Sequence, residues 1–113
     1  MSIDQPNVVD IVSIDVTGHV VLTVSDHLDW SDTRGHLLKL QAKINTCLAF
    51  VESGEILRKY PDSNQRGVVI EVVGKYAPEA EGLEFLRKAK SIVEAAGYGF
   101  RFEIFSGASP FEN

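Results

Sequence analysis

Between Ser25 and Asp32 the stretch SDHLDWSD packs three carboxylates, a histidine and the chain's one tryptophan into eight residues, and His36 follows shortly after. His27, Asp29, Asp32 and His36 are nitrogen and oxygen donors of the kind that hold zinc or another divalent ion. Asp32 and His36 are four residues apart, a spacing that a helix places on one face. Asp26, Asp29 and Asp32 would also serve glycosidic hydrolysis, provided that two of them face one cleft about 5–9 Å apart. The competing reading is a strand-to-helix loop. There Asp29 or Ser31 accepts from the orphan N–H groups of the helix start, and Trp30 packs over the core edge as a staple. No H-E-x-x-H or other patterned metal motif is present, and unpatterned local donors are weak signals. The reading therefore favours capping over a metal site.

Other candidates for chemistry fall on geometry. Cys47 lies eleven residues after His36, about 16 Å along a helix axis, whereas a base must come within about 3 Å of its nucleophile. Cys47 also lies on an apolar stripe, where a cysteine behaves as a small buried hydrophobe. Gly97-Tyr98-Gly99 follows a helix and enters a strand, the reverse of the order that aims helix N–H groups at phosphate. No G-x-G-x-x-G or P-loop occurs, so no nucleotide cofactor is expected. His19 reads as a solvated residue beside a turn. No catalytic or cofactor-binding residue is assigned, and the reading leans away from an enzyme.

The elements that would position these residues follow from periodicity. Val8–Ile14 is short and β-branched, and reads as a strand. Gly18 suits a tight hairpin turn, and His19–Ser25 is the return strand, with Val20, Leu22 and Val24 on one face and Val21, Thr23 and Ser25 on the other. Leu37, Leu40, Ile44, Cys47, Leu48 and Val51 then recur at helical steps, with Gly54 as the stop. A short turn is expected in the segment before Pro61. Val68–Val73 is a nearly continuous apolar run, as a central strand is. Pro78 suits the first turn of a second helix whose buried side is Leu83, Phe85, Leu86, Ala89, Ile92, Val93 and Ala96. Gly97 ends it, with Tyr98 packing back on Val93. Phe100–Phe105 is the last strand, and about 106–113 is an irregular tail.

The order is ββαβαβ. A hairpin plus a right-handed β-α-β unit predicts a mixed four-stranded sheet, and crossovers moving in the same direction put both helices on one face. The expected fold is a two-layer α+β sandwich in one domain over 1–113.

Composition narrows the function. The chain has 113 residues, 44% hydrophobic and 24% charged, with a formal net charge of −5. Residues 1–33 hold Asp4, Asp10, Asp15, Asp26, Asp29 and Asp32 and no Lys or Arg. Phosphate binding needs clustered cations, so neither nucleic acid nor an anionic membrane is expected as a partner. One cysteine, no leader-like apolar run and no membrane-length span point to the cytoplasm. The stretches MSIDQPNVVDIVSID, SDHLDW, LAFVESGEI and EGLEFL resemble a bacterial family of small single-domain proteins of unknown function, over most of the chain. The resemblance implies a small soluble bacterial protein and carries no activity, ligand or catalytic residue.

The sheet face turned away from the helices is the more informative feature. With Val68, Ile70 and Val72 inward, Val69, Glu71 and Val73 point out. With Phe100, Phe102 and Ile104 inward, Arg101, Glu103 and Phe105 point out, and the hairpin adds Val21 and Thr23. That face is too apolar for bare water and too polar for a core, the character of a partner surface, unless the tail with Phe111 folds over it. Val69, Glu71, Val73, Arg101 and Phe105 are the interface candidates, with Glu71 and Arg101 expected to pair across the strands. The sequence assigns no biochemical activity. It favours an interaction module that binds itself, as a homodimer, or another protein. The alternative is a metal-dependent enzyme or metal binder on the loop from Asp26 to His36.

Overall fold

The structure, a computed structural model, describes residues 11–104. Strand β1 (Ile11–Ile14) pairs antiparallel with β2 (Val20–Asp26), which pairs parallel with β3 (Val68–Gly74), which pairs parallel with β4 (Gly99–Ile104). The sheet order is β1-β2-β3-β4. Helix α1 (Thr33–Glu52) connects β2 towards β3, and α3 (Ala80–Ala95) connects β3 to β4. Both crossovers step the same way across the sheet, so both helices lie on one face. A single core joins Leu40, Ile44 and Cys47 of α1, Leu86 and Val93 of α3, and the inward rows of the strands. This is the expected α+β sandwich. The expected start of the first strand, Val8–Asp10, and the tail after Ile104 lie outside the described residues.

The expected turn before Pro61 is a separate helix, α2 (Glu55–Lys59), followed by a 3-10 turn at Pro61–Ser63. Ile56, 3% exposed, anchors it to the core. Gly54 and Gly97 adopt φ of +82° and +97°, the left-handed conformation in which a side chain would clash. Behind Gly97 the chain closes a Schellman stop, with the Tyr98 N–H donating to Val93 O at 3.1 Å and the Gly97 N–H to Glu94 O at 3.0 Å.

Two helix faces differ from expectation. On α1 the buried row is His36, Leu40, Lys43, Ile44, Cys47 and Phe50, while Leu37, Leu48 and Val51 are only half-buried. The burial centre is rotated by about one residue, because His36 and Lys43 share the stripe with Leu40. On α3 only Gly82, Leu86, Ala89 and Val93 are buried. Leu83 and Ile92 are 54% and 63% exposed, and Ala96 is exposed. A helix covering the rim of a sheet contacts it along a narrow stripe. Pro78 stands before the N-cap Glu79, outside the helix.

Candidate functional site

The alternation of β2 carries its inward row through Leu22 and Val24 to Asp26, which is 3% exposed. The parallel ladder ends there, with Asp26 opposite Gly74 and the Lys75 N–H donating to Asp26 O at 2.9 Å. In open α/β sheets ligands bind beyond this end of the strands where the crossovers reverse, whereas here both step the same way. Four residues before Leu40, on the buried stripe of α1, stands His36, also 3% exposed. Its Nε2 lies 2.6 Å from Asp26 Oδ2 and its Nδ1 lies 2.9 Å from the Asp29 carbonyl oxygen. Asp26 Oδ1 accepts the Leu28 N–H at 3.2 Å.

These partners assign the hydrogens. A carbonyl oxygen only accepts, so Nδ1 donates to Asp29. One hydrogen then lies between Nε2 and Asp26 Oδ2. Neither nitrogen is left with a lone pair for a metal ion or a substrate proton. Trp30 closes the site. Its ring stacks on the His36 ring at a centroid separation of 3.7 Å and an angle of 23°, and its Nε1–H donates to Tyr76 O at 3.1 Å. The benzo edge of the indole meets α3 at Gly82, where a Cβ would come within 3.1 Å of Trp30 Cζ3. Trp30 fills this corner of the fold.

The remaining acids of the loop serve its backbone. Asp32, rather than Asp29 or Ser31, caps α1, its Oδ1 accepting the Gly35 N–H at 3.1 Å. Asp29 Oδ1 instead accepts the Ser31 hydroxyl at 2.6 Å and the Ser31 N–H at 3.1 Å. The Ser31 hydroxyl bond, then the Ser31 N–H, holds the Asp29 carboxyl below its ordinary value. His27 is exposed. His27, Asp29, Asp32 and His36 therefore do not converge, and no group of three or more His, Cys, Asp or Glu among the described residues is arranged to hold a metal ion. Cys47 lies in the core at 2% exposure. Grooves of 470 and 460 Å³ lie elsewhere, one between β1 and the 3-10 turn, the other between α3 and β4.

A second constellation, at the other end of β2, escaped the sequence reading. The Thr17 hydroxyl donates to Asp15 Oδ1 at 2.6 Å and lies 2.7 Å from His19 Nδ1. A hydroxyl has one hydrogen to give and the carboxylate only accepts, so the imidazole donates to Thr17. That polarity is the reverse of a nucleophile and its base. Asp15 Oδ1 also accepts the N–H groups of Thr17 and His19, each at 3.0 Å. The Thr17 hydroxyl bond is the first cause of its lowered carboxyl pKa. These are the hydrogen bonds of a hairpin turn.

The outward sheet face is partly as read. Val69, Glu71 and Val73 are half-buried and Arg101 and Glu103 are exposed, while Val21 is buried at 4%. Glu71 and Arg101 are ladder neighbours, with Arg101 Nε 3.6 Å from Glu71 Oε2. Such a pair contributes little, about 0–1 kcal/mol. On the inward row Phe100 is buried, but Phe102 is only half-buried and Ile104 is 42% exposed. Phe105 lies outside the described residues. No helix among them is long and apolar enough to cross a membrane.

No curated protein and no solved structure matches the chain. The profile of a family of unknown function, DUF6572, matches residues 1–106. The chain belongs to that family.

Proposed function

We propose that this chain is a self-associating interaction module of the bacterial cytoplasm, acting through the side of the sheet that the helices leave open. One observation carries the reading. Val69 and Val73 stand half-buried beside Glu71, Arg101 and Glu103 on a surface with both helices on its far side. A mixed apolar and charged patch of that kind suits a partner surface. The sealed Asp26–His36 pair and the reversed polarity at Thr17 weigh against a hydrolytic role. A second copy is the partner favoured, because the exposed charges at the β4 rim are of both signs and complement one another. Molar mass by light scattering, from micromolar to millimolar protein, tests this. The expected mass rises from 12.5 kDa towards twice that value. A wild type that stays at monomer mass throughout overturns the reading.

A further inference from the structure

We propose that β4 pairs antiparallel with β4 of a second copy about a two-fold axis at Phe102, joining two four-stranded sheets into one of eight. This rests on the self-association just proposed but moves its contact from the open face to the edge of the sheet, leaving the face as a surface the two copies share. Among the described residues β4 is an edge strand. Edge strands present unpaired N–H and C=O groups, and proteins usually blunt them by shortness, charged side chains, proline, bulges or cover. The described β4 has no proline and no bulge, and its two exposed charges, Arg101 and Glu103, are of opposite sign, so they repel a second copy only in some registers. The strand runs six residues, Gly99–Ile104, in unbroken register with β3. The opposite edge, β1, is a four-residue strand among the described residues. The inward row of β4 is also poorly covered. Ile70 and Val72 on β3 are 0% exposed, whereas Ile104 is 42% exposed, and a 460 Å³ groove between α3 and β4 is lined by Leu83, Leu86 and Phe102 together with the charged Arg87 and Lys90.

The side chains of β4 select one register. In an antiparallel pair, residues directly opposite point to the same face, so a slip of one residue would set Arg101 against the inward row. The permitted registers differ by two residues in the summed positions. Centring on Arg101 sets Arg101 against its own copy, and centring on Glu103 does the same for Glu103. Like charges directly opposite destabilise a pair. Centring on Phe102 sets Arg101 of each copy opposite Glu103 of the other, twice by symmetry. It also sets Phe100 opposite Ile104 on the inward face, giving the exposed isoleucine an apolar neighbour. Across the joined outer face the row then reads Glu71, Arg101 and Glu103 of the second copy, with Arg101 between two carboxylates. The axis is normal to the sheet, so the two open faces become one continuous surface.

The test mixes an Arg101→Cys chain with a Glu103→Cys chain under mild oxidation. A disulfide needs Cα atoms within about 7 Å. Opposed residues of an antiparallel pair lie about 5 Å apart, while sheets packed face to face lie about 10 Å apart. The mixture should form a covalent dimer at least tenfold faster than either chain alone, since each alone places its thiols two residues out of register. In parallel, Arg101→Glu and Glu103→Arg should each run as monomers, and their mixture should recover the dimer mass. A wild-type dimer that gives no cross-link in the mixture, and that Val73→Lys dissociates, overturns the edge pairing and leaves self-association through the face standing. A wild type that stays monomeric overturns both.

Discussion

Strand β2 has an aspartate and a histidine in hydrogen-bonded company at each end. At its start Asp15 and His19 share Thr17 in an exposed turn. At its finish Asp26 and His36 meet directly, each 3% exposed. The residue types are the same and the energetic roles are not. In water a hydrogen bond between such groups replaces one that solvent would make, so its net contribution is small. In the core the unpaired alternative is a desolvated polar group, and removing either partner leaves the other stranded. Burial is set here by the neighbours along the chain. Asp26 continues the inward row of Leu22 and Val24, and His36 continues the stripe of Leu40 and Ile44. Asp15 and His19 belong to a turn.

His36→Ala breaks the comparison open most strongly. It should cost about 3–5 kcal/mol, the range for removing one member of a buried pair, read as a lower denaturant midpoint. An unchanged midpoint would mean that the buried pair contributes no more than the exposed one. Asp32→Ala comes next. It removes the side chain that accepts the Gly35 N–H and should cost about 1 kcal/mol by the same measurement. His19→Ala should fall within about 0.5 kcal/mol of wild type, as surface changes usually do, and a larger loss would erase the contrast between the two ends. The smallest effect is acid titration of the exposed carboxylates. Asp15 and Asp29 both have pKa values lowered from 3.8. A lowered folded pKa stabilises above the unfolded value, and that contribution is lost as pH falls through the folded one. The loss therefore begins only below about pH 4. Carboxyl-carbon NMR should place both midpoints under the ordinary aspartate value, and a midpoint at or above it for Asp29 would show that the Ser31 bonds do not hold.

Much of the frame was legible because it rests on periodicity. The hairpin, the long helix, the central strand, the Gly54 and Gly97 stops and the Glu71–Arg101 pair follow from local spacing and glycine positions. The site was less legible, for a physical reason. SDHLDWSD draws attention to its own acids, and those acids mostly bond to backbone within three residues. The buried partner of His36 is the carboxylate outside the proposed ligand set. The usable signal was positional: Asp26 lies in phase with Leu22 and Val24, and His36 lies in phase with Leu40. A charged or polar residue in phase with a core row is either misassigned or paired, and Lys43 on the same stripe is buried too, at 1% exposure. The α3 face was misread because Leu83 and Ile92 are apolar without being covered. Periodicity finds apolar residues, and only the width of the contact decides which of them touch the sheet.

Trp30 gives this corner of the molecule a built-in optical readout. It is the chain's one tryptophan, and its ring stacks on an imidazole while its N–H is bonded to the carbonyl of Tyr76. Imidazole in contact quenches indole emission, and loss of that hydrogen bond shifts its wavelength. Emission excited beyond the absorption of the three tyrosines therefore reports the Asp26 end of β2. Heating followed in parallel by circular dichroism, which reports the backbone as a whole, and by fluorescence tells whether the Asp26 end of β2 comes apart with the rest of the fold or before it.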